Sequence, residues 1–229
     1  MKTLTVLVPF YNEENTILKS IEKLDSLTFI NEVILLNDGS TDSSLDMVNK
    51  FIKNKRKYKI LSYEENIGKG AVLNKSREHI SNDYVVIHDA DLEYFPKDLI
   101  EMFKFADGSN LVLGSRFIGN KQRSNIYFRT YIANKVISLF FSLINQKRIT
   151  DVATCYKLMP TSFFKQNNFK EKGFSIEIEI ISKFLKNNKN IVEVPISYNA
   201  RSYEEGKKIK TKDGFFYLFN TLRYRFLNN

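Results

Sequence analysis

Short apolar runs alternate with longer amphipathic stretches along the chain: LTVLVPF, then Glu13 to Asp25; EVILL, then Ser43 to Lys53; KILSY, then Lys69 to His79; YVVIH, then Pro96 to Phe105. The short runs predict strands and the longer stretches helices. Their alternation predicts an α/β fold, a mainly parallel sheet sandwiched between helices. LVLGS (Leu111 to Ser115) and IVEVPISY (Ile191 to Tyr198) read as later strands. Asn125 to Asn145, Ser175 to Asn187 and Asp213 to Phe226 read as further helices. Pro and Gly are sparse and scattered, with no linker, low-complexity tract or repeat. A chain of 229 residues with 43% hydrophobic content can bury one sizeable core, so a single domain is expected.

In an open α/β sheet the ligand crevice lies beyond the carboxyl ends of the strands. Four successive strand ends are polar, acidic or glycine-rich: PFYNEEN (Pro9 to Asn15), NDGSTD (Asn37 to Asp42), ENIGKG (Glu65 to Gly70) and DADLE (Asp89 to Glu93). Neither GxGxxG nor GxxxxGK[ST] occurs, which removes the dinucleotide fingerprint and the P-loop. Two carboxylates one residue apart on a turn, as in DAD, can reach one divalent cation and leave positions for phosphate oxygens. Mg²⁺ and Mn²⁺ bind hard oxygen ligands in this way. His79 and His88 have no HExxH context, and His88 reads equally as a buried strand residue or a site residue.

Composition narrows the alternatives further. The chain has 35 basic and 26 acidic residues, a net charge of +9, which implies attraction for phosphates or an acidic membrane surface without choosing between them. A nucleic-acid-binding protein would explain that charge but not the acidic DAD cluster, which repels phosphates unless a cation intervenes. Cys155 is the only cysteine, so an intramolecular disulfide or a cysteine zinc cluster is excluded and a small buried hydrophobe is expected. The apolar run in MKTLTVLVPFYNEE is too short for a cleaved signal sequence, and no stretch reaches the ~20 apolar residues of a membrane span. The expectation is a cytoplasmic protein.

The order PFYNEEN, NDGSTD, NIGKG, DADLEYFP, GSR (Gly114 to Arg116), TCYKL, FSIEIEI, EVPISYNAR and EEGKKIKTKDG resembles glycosyltransferase family 2 of the GT-A fold. The resemblance runs from about Leu4 to Phe226. Its later motifs are similar to the branch that makes polyprenyl- and dolichyl-phosphate sugars. It implies one domain over residues 1–229, with a nucleotide-sugar half to about residue 116. The acceptor half and a C-terminal amphipathic segment would fill 117–229.

By that resemblance Pro9, Tyr11, Glu13, Asp38, Gly39, Lys69, Asp89, Ala90 and Asp91 would bind the donor nucleotide. Asn37 departs from the Asp usual in the family. Asp89, Asp91 and Glu93 would hold Mg²⁺ or Mn²⁺, although relatives frequently have Gln at the position of Glu93. Asp89, Asp91 and Arg201 would serve catalysis, with Arg201 reaching the donor phosphates as the EEGKKI loop closes. Arg116, Arg129 and Asn134 would bind the acceptor phosphate.

The implied reaction is inverting transfer of a hexose from GDP-mannose or a UDP-hexose to a polyprenyl or dolichyl phosphate. A lipid acceptor would also employ the segments IYFRTYIANKVISLFFSLIN and DGFFYLFNTLRYRF as amphipathic elements on a membrane surface, with a separate membrane protein as a further partner. Transfer to a glycan hydroxyl by an enzyme of the same fold is the principal alternative. A non-enzymatic basic protein is the second.

Overall fold

The computed structural model describes residues 2–187, 190–201 and 211–227, with side chains in the last span from Gly214 onward. The first half alternates strictly: β1 (Leu4–Phe10), α1 (Ile17–Asp25), β2 (Glu32–Asp38), α2 (Ser44–Ile52), β3 (Tyr58–Tyr63), α3 (Lys69–Lys75), β4 (Tyr84–Ile87) and α4 (Asp98–Lys104). There follow β5 (Leu111–Ser115), β6 (Arg123–Ser124), α5 (Phe128–Asn145), β7 (Lys157–Pro160) and α6 (Thr161–Gln166). The chain continues with α7 (Ile176–Lys186), β8 (Ile191–Pro195), β9 (Tyr198–Asn199) and α8 (Thr211–Leu222), which runs on into a π-helical turn, Arg223–Leu227.

Seven strands form one sheet in the order β3-β2-β1-β4-β7-β5-β8. All its pairings are parallel except those of β7, which runs antiparallel to β4 and β5. β1 and β2 are buried at every position, which explains why they read as continuous apolar runs rather than alternations. The chain leaves β1 for β2 and β3, then returns to place β4 on the other side of β1. The carboxyl ends of β1 and β4 therefore border the switch point where such folds hold their ligands. The expected α/β class is the observed one.

Two features differ from the sequence expectation. The first helix starts at Ile17 rather than Glu13, because the preceding loop has competing bonds: Asn12 adopts a left-handed φ of 50° and the Glu13 N–H donates to Ser44 Oγ at 2.8 Å. The periodicity predicts neither β7 nor α6, since β7 carries a lysine among positions that are all buried. The expected closing loop, Glu204 to Ile209 in EEGKKI, lies outside the described residues.

α5 buries Ile137, Ser138 and Phe141 but leaves Phe128, Ile132, Val136, Leu139 and Leu143 exposed. α8 packs against α5 and leaves Phe215, Phe216, Phe219 and Leu222 exposed. No helix among the described residues is long and apolar enough to cross a membrane.

Candidate active site

One crevice opens over the carboxyl ends of β1 and β4. It is lined by Pro9, Tyr11, Glu13, Asp38, Lys69, Asp89, Ala90, Asp91, Glu93, Arg116 and Arg201, so the structure brings these expected residues together. Gly39, Arg129 and Asn134 do not line it. Gly39 instead allows two loops to meet: its φ is +71°, and a Cβ there would stand 2.5 Å from the Glu65 carbonyl carbon. Arg129 is exposed and Asn134 half-buried on α5.

The end of the crevice beside β2 is built by local bonds. Asp38, at the end of β2, accepts from the Ile67 N–H at 2.7 Å and the Gly68 N–H at 3.0 Å, which folds the NIGKG turn. Glu13 accepts from Thr16 Oγ1 at 2.6 Å. Gly70 follows the turn, and its N–H donates to the Lys172 carbonyl at 2.7 Å, leaving no room for a side chain against Glu171. Lys69 is thereby directed into the crevice at the start of α3.

Charged groups alternate across the floor. Lys69 Nζ lies 2.7 Å from Asp89 Oδ1 and 2.8 Å from Glu177 Oε1. Lys157 Nζ lies 2.6 Å from Glu177 Oε2. Burial disfavours the Lys69 cation, but the facing carboxylates outweigh it and hold Lys69 well above the usual lysine range. Burial likewise opposes ionisation of Asp89, and Lys69 overcomes it to keep that carboxyl below its ordinary value. Asp91 behaves oppositely. Burial, then Glu93 and Asp89, push it up to about 8, although Arg201 pulls the other way. Burial and the neighbouring carboxylates thus outweigh the pull of Arg201 on Asp91.

Arg201 follows β9 and reaches back over this cluster, with Nη1 3.0 Å from Glu13 Oε2 and Nη2 3.3 Å from Asp91 Oδ2. Glu93 also lines the crevice, and it accepts from the Tyr198 hydroxyl at 2.5 Å and from the Arg201 backbone N–H at 2.8 Å. Among the described residues no three acidic, histidine or cysteine side chains are grouped so as to hold a metal ion. Asp89 and Asp91 remain as a pair facing the crevice. Arg116 is buried against Asp151 in a two-pronged ion pair, with Nε 2.7 Å from Oδ2 and Nη2 2.8 Å from Oδ1. Its guanidinium also lies 4.9 Å from the centre of the Tyr198 ring.

Cys155 and His88 are both buried beside the site. Burial, then Asp89, push the Cys155 thiol well up, which excludes a ready thiolate nucleophile. His88 sits between Ser20 Oγ at 3.1 Å and the Tyr156 hydroxyl at 3.0 Å, outside the crevice lining. Sequence reasoning did not single out Glu177, Lys157, Asp151 or Tyr198. The two Glu residues within the apolar run FSIEIEI are the one local signal that buried cations had to be present.

The fold is that of the GT-A transferases. Over 100% of its length the chain matches 80% of glucosyl-3-phosphoglycerate synthase from Mycobacterium tuberculosis, solved with Mn²⁺ and UDP-glucose, with a TM-score of 0.75 and 18% identity. The model of glycosyl transferase family 2 matches residues 5–169, more than half of the chain. The protein belongs to glycosyltransferase family 2 and is a glycosyltransferase.

An uncharacterized protein of Methanocaldococcus jannaschii is 27% identical over 89% of this chain and 93% of its own length. Dolichol-phosphate mannosyltransferase of Pyrococcus furiosus is 26% identical over 96% of this chain, and the match spans 62% of that longer protein.

Proposed function

We propose that the protein transfers a hexosyl group, with inversion, from a nucleotide-diphosphate sugar to a polyprenyl or dolichyl phosphate at a membrane surface. The observation that carries this reading is on α8. Tyr217 of that helix lines the crevice, while Phe215, Phe216 and Phe219 of the same helix stand exposed. A phosphate head on an apolar tail matches a charged crevice whose wall continues as an apolar face. The similarity to the Pyrococcus mannosyltransferase supports the same acceptor class.

On this reading Pro9, Tyr11, Glu13 and Asp38 receive the nucleoside, with Tyr11 offering a flat face to the base. Asp89 and Asp91 suit Mg²⁺ or Mn²⁺, because two carboxylates leave coordination positions for water and phosphate. Burial first, then the nearby carboxylates, raise Asp91, and a divalent cation would offset both. When bound, the ion offsets charge on the departing diphosphate. Lys69 and Arg201 flank the carboxylates and add positive charge from either side of the crevice.

No residue needs to act as a general base. A phosphate monoester has a second pKa of about 6 and arrives largely ionised, so the acceptor needs positioning more than deprotonation. Arg129 and Asn134, outside the crevice on α5, fit the approach of the lipid headgroup. Arg116, already balanced by Asp151, fits a brace under Tyr198.

A thermal-shift panel of UDP- and GDP-sugars with Mn²⁺ or Mg²⁺ tests the donor side. A ligand at 100 times its Kd stabilises by about 2.7 kcal/mol. The expected outcome is a metal-dependent shift with one nucleotide class, lost in Asp91→Asn. Absence of any shift across the panel would overturn the donor assignment.

A further inference from the structure

We propose that Lys157, buried at the start of β7 behind the crevice, is a positioning residue: it fixes Glu177, and Glu177 sets where Lys69 stands between Asp89 and the donor diphosphate. The inference rests on the proposed reading of Asp89 as a metal ligand and of Lys69 as a cation for the donor. Lys157 and Glu177 are both buried, but Glu177 lines the crevice and Lys157 does not. Together with Lys69 and Asp89 they form one row of alternating charge. Lys157 Nζ lies 2.6 Å from Glu177 Oε2, while Lys69 Nζ lies 2.8 Å from Glu177 Oε1 and 2.7 Å from Asp89 Oδ1. Each oxygen of Glu177 thus serves a different lysine, and Lys69 is shared between two carboxylates.

The row is anchored at its inner end. An ammonium has three N–H donors, and that of Lys157 meets three oxygens: Glu177 Oε2, the Val152 carbonyl at 3.3 Å and the Thr154 carbonyl. Burial pulls this lysine below its ordinary range, and Glu177 opposes the shift. Glu177 stands in the first turn of α7 between the buried Ile176 and Ile178, so its carboxylate is held between the core and the crevice. The place of Lys69 is therefore a balance between Glu177 and Asp89. Removing Lys157 leaves Glu177 a buried charge with one partner, which takes Lys69 more completely and draws it off Asp89. Removing the charge of Glu177 does the reverse: Lys69 closes on Asp89, where it competes with a divalent cation.

The test is a cycle of variants read by binding, because a pair that only held the core together would lower every affinity in parallel. Mn²⁺ alone is titrated by electron paramagnetic resonance, and UDP and GDP, each at saturating Mn²⁺, by calorimetry. Lys157→Met is expected to tighten Mn²⁺ alone several-fold, since Asp89 is released from Lys69. The same change should weaken the nucleoside diphosphate roughly tenfold, the scale of one hydrogen bond to a charged group. Glu177→Gln should shift Mn²⁺ alone the other way, to weaker binding. In a Lys69→Ala background both shifts should fall to within about twofold, because they pass through that lysine.

Lys157→Met strands a charge in the core, so the double variant Lys157→Met/Glu177→Gln, which leaves neither charge of the pair, carries the test if the single one does not fold. It should bind Mn²⁺ as Glu177→Gln does, because Lys157 acts only through that carboxylate. A difference between those two variants would overturn the inference. So would parallel losses of Mn²⁺ and diphosphate in Lys157→Met, wild-type affinities in that variant, or shifts that persist undiminished in the Lys69→Ala background. A wild-type protein that binds neither diphosphate with Mn²⁺ would instead remove the donor reading, and this inference with it.

Discussion

His88 stands immediately before Asp89, yet it is buried and its ring nitrogens meet the neutral hydroxyls of Ser20 and Tyr156. Burial, reinforced by the Lys23 and Lys69 cations and partly opposed by Asp89, brings it down to about 4. The folded protein therefore holds His88 neutral where the unfolded chain, with a value near 6.5, takes up a proton. The stabilising contribution is complete above about pH 6.5 and is lost as pH falls through about 4, and it amounts to about 3 kcal/mol. Urea melts between pH 7 and 4.5 should show this loss, and His88→Gln should flatten the slope even if it lowers stability throughout. An unchanged slope in that variant would show that other groups carry the acid sensitivity.

The same residue scale shows what was legible in the chain and what was not. Asp89, Asp91, Lys69 and Glu13 could be picked out because each closes or follows an apolar run, a local signal. The partners that set their charge are distant: Glu177 is 108 positions from Lys69, and Asp151 is 35 from Arg116. Spacing carries no trace of such pairs. The family resemblance places Arg116 among the acceptor ligands, and the fold adds the carboxylate of Asp151, against which it is buried.

At the scale of elements, local pattern sufficed wherever burial followed a single period. β7 defeated it. Lys157 interrupts the apolar run there, and it is tolerated because Glu177 of α7 meets it inside the core. α5 and α8 posed the reverse difficulty, since their apolar content predicts helices without stating which faces are covered. The exposed faces that result, with Arg129 exposed on α5, suit an anionic membrane surface. The protein is expected to float with anionic vesicles at low ionic strength and to be released as salt rises, because exposed charges are screened within about 8 Å at physiological salt. Leu139→Glu and Phe219→Glu should reduce flotation and leave Mn²⁺-dependent nucleotide binding intact. Equal flotation of wild type and variants, or none at all, would overturn the assignment of these faces to a membrane surface.

Over the whole molecule, the strand order puts the ends of β1 and β4 side by side, and the chain's later half supplies Arg201, Glu177 and Tyr217 to a crevice floored by its first half. The net charge of +9 coexists with an acidic crevice, so the basic surplus lies elsewhere on the molecule. That separation fits an enzyme that gathers an anionic lipid surface with one part and a cation-bound diphosphate with another. The most direct test supplies radiolabelled GDP-mannose, UDP-glucose and other UDP-hexoses in turn, with Mn²⁺, to a mixture of a short polyprenyl phosphate and glycan oligosaccharides. Label should pass into the organic-extractable polyprenyl-phosphate fraction from one nucleotide class, and stop on chelation of the metal. Label appearing only in the glycan fraction, with the lipid phosphate ignored, would contradict the account.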